Sequence, residues 1–137
     1  GQAGVGMEAV QVDLVCGAKN GQMGEVWAYQ LTYPRYGFEA LTTILEPNLT
    51  VRPSTLIIST NELKDLRQAN MIYGPVQNGV AQAVVDKLAQ GVIGEETMHK
   101  DLLIVQAAVH PRALDRHSLH TSTYHATLAA LDAAFSR

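Results

Sequence analysis

Gln11 and Asp13 stand two residues apart in AVQVDLV, residues 9–15, where Val10, Val12 and Leu14 alternate with them and with Val15. A period of two is the mark of a strand with one buried face, so the amide and the carboxylate share the opposite face. All five histidines fall from His99 onward, and His117, His120 and His125 raise the question of a metal. On a helix, successive residues advance by 100°, so His120 and His125 stand about 140° apart and the three do not converge. They read as a solvated polar face. His110 follows an apolar run and precedes Pro111, the place of a hydrogen-bonded residue at the edge of a pocket. Cys16, the single cysteine, lies between Val15 and Gly17 and reads as an inert strand thiol, because a reactive thiolate needs an electropositive, partly exposed setting. Lys64, Asp65 and Arg67, in KDLRQ, read as a solvated helix face. No G-x-x-x-x-G-K-[ST], no G-x-G-x-x-G after a strand and no G-x-S-x-G occurs, so phosphate-loop, dinucleotide and nucleophile-elbow chemistries lack their backbone.

The elements that must hold these residues follow from periodicity and punctuation. Met23, Val26, Trp27 and Leu31 recur at three-and-four spacing and predict an amphipathic helix over 21–32, ended before Pro34, with Trp27 in the core. Residues 40–45 and 54–60 are short runs rich in Thr, Ile and Leu, bounded by Pro47, Asn48 and Pro53, and read as strands. Asn61 has the chemistry of an N-cap for a helix through ELKDLRQANMIY, interrupted at Gly74-Pro75. A further helix starts at Pro75, with Val76, Val80, Val84 and Leu88 on one face and Gly91 as its stop. Residues 102–109 read as a continuous apolar run fit for a central strand, and 113–135 as an Ala- and Leu-rich closing helix. The order β-α-β-β-α-α-β-α fits an α/β fold, or α+β sandwich, with one sheet covered by helices. The segment LEPNLTVRPSTLIIST and the helix carrying YGPVQNGVAQAVVDKLAQGVI would form a stiff wall beside the Gln11/Asp13 strand.

With 137 residues and 47% hydrophobic side chains, the chain fits one domain spanning 1–137. Charged residues make up 17%, below the roughly 25% of an average soluble protein, which leaves some outer surface suited to burial against copies of itself. A net charge of -3 with scattered basic residues excludes a nucleic-acid partner as the leading reading. One cysteine excludes an intramolecular disulfide and a Cys-rich metal centre. No apolar run approaches the roughly 20 residues of a membrane span, so a cytoplasmic protein is expected; a removed leader stays open because the sequence does not begin with Met.

Beyond these readings, the sequence resembles the formaldehyde-activating enzyme family, from about Gly6 into the last helix. The resemblance rests on VDLVCG, Gly37-Phe38, Glu46-Pro47-Asn48-Leu49, Pro53, Thr55-Leu56, Asp65, Arg67-Gln68-Ala69, Gly74-Pro75, Gln77, Gly79-Val80-Ala81, Ala83-Val84, Asp86, Gly91, Asp101-Leu102, His110, Tyr124 and Ala126-Thr127. It implies a ribosomal-S5-domain-2-like fold, a homopentameric ring, and sites between neighbouring subunits for tetrahydromethanopterin, with no metal. It also implies a hydro-lyase, a carbon–nitrogen lyase of one-carbon metabolism that condenses formaldehyde with that pterin. Of the pterin-binding positions, Asp13 and Gln77 keep the family's residues, while Thr42 replaces a leucine, Thr60 a lysine and Glu62 a threonine. Gln11 stands where the family has its acid, a histidine.

That last difference bears on chemistry. A ring amine adds to formaldehyde to give a carbinolamine, and expelling water from it needs a proton that an imidazole can deliver and an amide cannot. Glu62, the new acid near the implied site, could take that role if burial held it protonated. Exchanging a lysine for Thr60 and a threonine for Glu62 removes one positive charge and adds one negative, which favours an altered ligand. Two readings stay open: a formaldehyde-activating condensing enzyme using Asp13, Gln77 and Glu62 or His110, and a non-catalytic paralogue that binds or senses a pterin, aldehyde or other small metabolite.

Overall fold

The computed structural model describes residues 1–22, 24–27, 40–46 and 49–135. Its strands are β1 (Gln2–Ala3), β2 (Val10–Ala18), β3 (Ala40–Thr42), β4 (Ile44–Glu46), β5 (Leu49–Thr50), β6 (Ser54–Ser59) and β7 (Asp101–Val109). Its helices are α1 (Leu66–Met71), α2 (Gln77–Ala89), α3 (Glu95–Lys100) and α4 (Arg116–Phe135); residues 22 and 24–27 are also helical. Of the helix expected over 21–32, residue 21 is a bend, and residues 23 and 28–32, with the motif residues Gly37-Phe38 and Pro47-Asn48, lie outside the described residues.

One sheet runs β1-β2-β7-β6-β3, and β4 pairs with β5 apart from it. The β6–β7 pair is parallel and the other sheet pairs are antiparallel. Parallel pairing follows from the chain between β6 and β7, which leaves the sheet through α1, α2 and α3 before returning, as a parallel pair requires. β7 therefore lies between β2 and β6. The wall expected beside the Gln11/Asp13 strand is one strand further away, because β6 takes its parallel partner in β7 rather than in β2.

The alternation read in 9–15 sorts the two faces of β2. Val10 and Val12 are buried, while Gln11, Asp13 and Val15 are exposed. On the buried side, Ile57 of β6 and Leu103, Val105, Ala107 and Val109 of β7 meet Val76, Val80, Ala83 and Val84, and Leu119, Ala126 and Leu131 of α4. The four-residue apolar repeat is thus spent on the core, with Val76, just before α2, and Val80 and Val84 within it fully buried and Leu88 half-buried. Where α2 crosses α4, a Cβ on Gly79 would stand 2.9 Å from the Thr123 Cβ and 3.0 Å from the His120 carbonyl, so only glycine lets the helices approach this closely. Gly91, with φ 78°, ends α2 as expected, and the Val92 and Gly91 amides reach back to the Lys87 and Leu88 carbonyls.

Three local readings need correction. Gly74-Pro75 does not start a new helix: residues Ile72–Val76 form a π-helical segment continuous with α1 and α2, which absorbs the proline without ending the helix. The N-cap of α1 is Asp65, whose side chain accepts from the Gln68 amide at 2.8 Å, whereas Asn61 donates to the Val109 carbonyl at 2.8 Å. α3 was not expected; it is short and buries no residue, but Glu95 and Glu96 at its start and His99 and Lys100 at its end suit its dipole.

Candidate functional site

The side of the sheet away from α2 and α4 carries Gln11 and Asp13 of the candidate residues. Leu56, Ile58 and Ile104 form a small apolar cluster there, and Trp27, expected in the core, packs half-buried against this cluster instead. Next to this cluster lies a depression of about 350 Å³ lined by Asp13, Val15, Val26, Ile58, Ile104 and Gln106. Asp13 is the register partner of Gln106 across β2 and β7, and Gln106 is in turn the partner of Ile58 across β7 and β6. A carboxylate and a primary amide thus stand side by side above an apolar floor.

Gln11 lies one turn of the pleat away, on the same face of β2. Its Oε1 accepts from Gln2 Nε2 at 3.4 Å, and it lines a shallow groove against β1 with Gly4 and Ala9. Thr60 directly follows β6 and is exposed, its amide bonded to the Ala107 carbonyl at 2.9 Å. Since β7 separates it from β2, Thr60 is two strand spacings, about 10 Å, from the Gln11 strand. Thr42 is the register partner of Leu56 at the β3 edge.

The remaining candidates are elsewhere. Gln77 is buried in the first turn of α2, and its Nε2 donates to the Ile44 carbonyl in β4. Glu62 and His110 line a narrow cleft of about 20 Å³ at the carboxyl ends of β6 and β7, together with Asn61, Arg67 and Gln68. That volume suits one water and no pterin. The polar groups there brace loops: Arg67 donates to the Ala113 carbonyl at 3.0 Å and to the Pro111 carbonyl, and His110 Nδ1 accepts from the Arg112 amide at 3.0 Å. Arg67 is therefore a half-buried brace, not part of a solvated face. Glu62 is exposed, so this chain by itself does not supply the burial that a proton-holding carboxyl needs.

Cys16 is half-buried, and burial first, then the nearby Asp101 carboxylate, pushes its thiol up to about 11. On α4, His117 and His125 are exposed and His120 is half-buried; no group of three His, Cys, Asp or Glu side chains among the described residues could hold a metal ion. No helix among the described residues is long and apolar enough to cross a membrane.

Gln106 is the residue that pattern reading missed. The run 102–109 reads as apolar throughout, yet it contains one amide, and that interruption in LLIVQAAV was the available signal.

The family model for the formaldehyde-activating enzyme (Fae) matches residues 1–137. The chain is 37% identical over 131 residues to the bifunctional enzyme Fae/Hps of Methanosarcina barkeri, covering 96% of this chain and 33% of that protein. It is 38% identical over 136 residues to the Fae/Hps enzyme of Methanothrix thermoacetophila, covering 98% and 35%. It is 35% identical over 128 residues to the 5,6,7,8-tetrahydromethanopterin hydro-lyase of Methanosarcina barkeri, covering 93% of this chain and 72% of that one. The chain spans about a third of the length of the bifunctional relatives. From end to end, this sequence belongs to the formaldehyde-activating enzyme family.

Proposed function

We propose that this domain condenses formaldehyde with tetrahydromethanopterin, releasing water and leaving a methylene bridge between two ring nitrogens, and that it does so slowly because Gln11 replaces the acid. The observation that carries the reading is the family match over the whole chain, joined by 35% identity to a relative named for tetrahydromethanopterin hydro-lyase activity. The depression beside Asp13 supports it, since about 350 Å³ falls in the range of small-molecule pockets, roughly 300–1,000 Å³.

Asp13, exposed on β2, is the hydrogen-bond acceptor for ring N–H groups, and the apolar floor receives the ring face. Attack of one ring amine on the formaldehyde carbon gives a carbinolamine. Its hydroxyl must leave as water before the second amine can close on the iminium. Gln11 can orient that hydroxyl through its amide, but the proton comes from solvent, which forgoes about 10²- to 10⁴-fold in rate.

Among the described residues, Asp13, Gln11 and Glu62 line three different pockets and Gln77 is buried under β4. This dispersal, with the low charge content, supports a homo-oligomer, a pentamer in keeping with the resemblance, whose neighbouring copy completes each site. We place that assembly in the cytoplasm.

Formaldehyde consumption with tetrahydromethanopterin, followed against the spontaneous reaction, tests the proposal. A protein-dependent excess is expected. Binding of the pterin without any excess would identify a binding protein instead, and no binding would contradict both.

A further inference from the structure

Gln106 is the one polar side chain on the open side of β7, where its strand neighbours on that face are Leu102, Ile104 and Ala108. A mid-sheet position flanked by apolar side chains favours a β-branched or aromatic residue, so an exposed amide there gains little from packing. Its register partner is Asp13. Directly opposed residues in an antiparallel pair have Cβ atoms about 5 Å apart, so one ring edge can meet both heads. Both line the same depression, walled by Val15, Val26, Ile58 and Ile104.

We propose that Gln106 is a specificity-determining contact of this site, which with Asp13 grips the edge of a planar nitrogen heterocycle bearing adjacent N–H and C=O groups. The inference rests on the pterin reading above. A carboxylate only accepts, and so takes any N–H donor, a simple amine included. A primary amide both donates and accepts, so beside the carboxylate it reads the carbonyl as well. A ligand without that carbonyl displaces water from the Gln106 N–H without replacing its hydrogen bond, and this selects against it.

Titration calorimetry with tetrahydromethanopterin on the full chain, alongside Gln106→Met, Gln106→Asn, Asp13→Asn and the double variant Asp13→Asn/Gln106→Met, tests this. Gln106→Met should bind about tenfold more weakly, as the loss of a hydrogen bond with its unpaired partner implies. Gln106→Asn, which keeps an amide, should recover part of the affinity. The double variant should lose less than the product of the single losses, because both groups hold one ring. Wild-type affinity in Gln106→Met overturns the role of Gln106 and leaves the pterin reading standing. So does a weaker Gln106→Met that melts lower and is not relieved by Gln106→Asn, because that is a structural role. Absence of binding by the unaltered protein overturns the pterin reading and this inference with it.

Discussion

The buried amide of Gln77 donates to the carbonyl of Ile44, tying the first turn of α2 to the β4 strand. The position at which the resemblance implies a pterin contact is thus also a fold contact in this chain. Gln77→Met keeps most of the volume and leaves the Ile44 carbonyl without its donor. Urea denaturation is expected to show a loss of about 0.5–1.5 kcal/mol, the net contribution of one hydrogen bond, because the Ile44 end of the contact is exposed to water. No loss would mean that the contact has no structural weight.

Gly79 tests the helix crossing. Alanine normally gains about 1 kcal/mol over glycine inside a helix. Here its Cβ would stand 2.9 Å from the Thr123 Cβ and 3.0 Å from the His120 carbonyl, so α2 and α4 must move apart. Gly79→Ala is expected to destabilise by about 1–3 kcal/mol, the usual cost of overpacking, with a lower melting temperature as the readout. A stabilised variant would show that the crossing is looser than described.

Tyr124 donates its hydroxyl proton to Asp86, and that bond, then burial, then the Asp86 charge, raises the Tyr124 pKa above 10.0. Below the unfolded value both states keep the proton and the bond contributes in full. As pH rises past 10.0, the unfolded chain ionises while the folded one does not, so stability falls until the folded group also titrates. Tyr124→Phe is expected to be less stable near neutrality and to lose less stability between neutral and alkaline pH. Denaturation midpoints over that range read the slope; an unchanged slope would assign the alkaline loss to other groups.

Much of the fold was legible because its strands and long helices carry clean periods. The alternation at 9–15 sorted Val10 and Val12 from Gln11 and Asp13, and the spacing of Val76, Val80 and Val84 gave the inner face of α2. The π-helical passage through Pro75 was not legible, because continuity there depends on packing rather than on local preference. Local chemistry does not distinguish the Asp65 cap from Asn61, since both residues can cap and only the path of the chain after β6 decides between them. For the site, the strand pattern put Gln11 and Asp13 on the open face. Strand order, which no local pattern encodes, set the partner of Asp13 as Gln106 and moved Glu62 and Gln77 away.

Cys16 offers a check on the sheet around it. With its thiol raised from 9.0 to about 11, chiefly by burial, its thiolate fraction near pH 8 is about 100-fold below that of an unperturbed thiol. Alkylation by iodoacetamide is expected to be slower in the folded protein by about tenfold or more, since the higher-pKa thiolate is a better nucleophile, and to recover on denaturation. Labelling as fast as in a free peptide would place Cys16 in an open or electropositive setting.

The role given to Gln11 leads to the most direct measurement. Restoring an acid at an exposed position on β2 should not disturb the core, since Gln11 faces away from Val10 and Val12. The rate of methylene-tetrahydromethanopterin formation, net of the spontaneous reaction, is to be compared between the unaltered protein and Gln11→His. A gain of about 10²-fold or more in Gln11→His, declining as pH rises past the imidazole range, is the expected result. Equal rates in the two proteins, with the pterin bound by both, would contradict the assignment of Gln11 to the place of the acid.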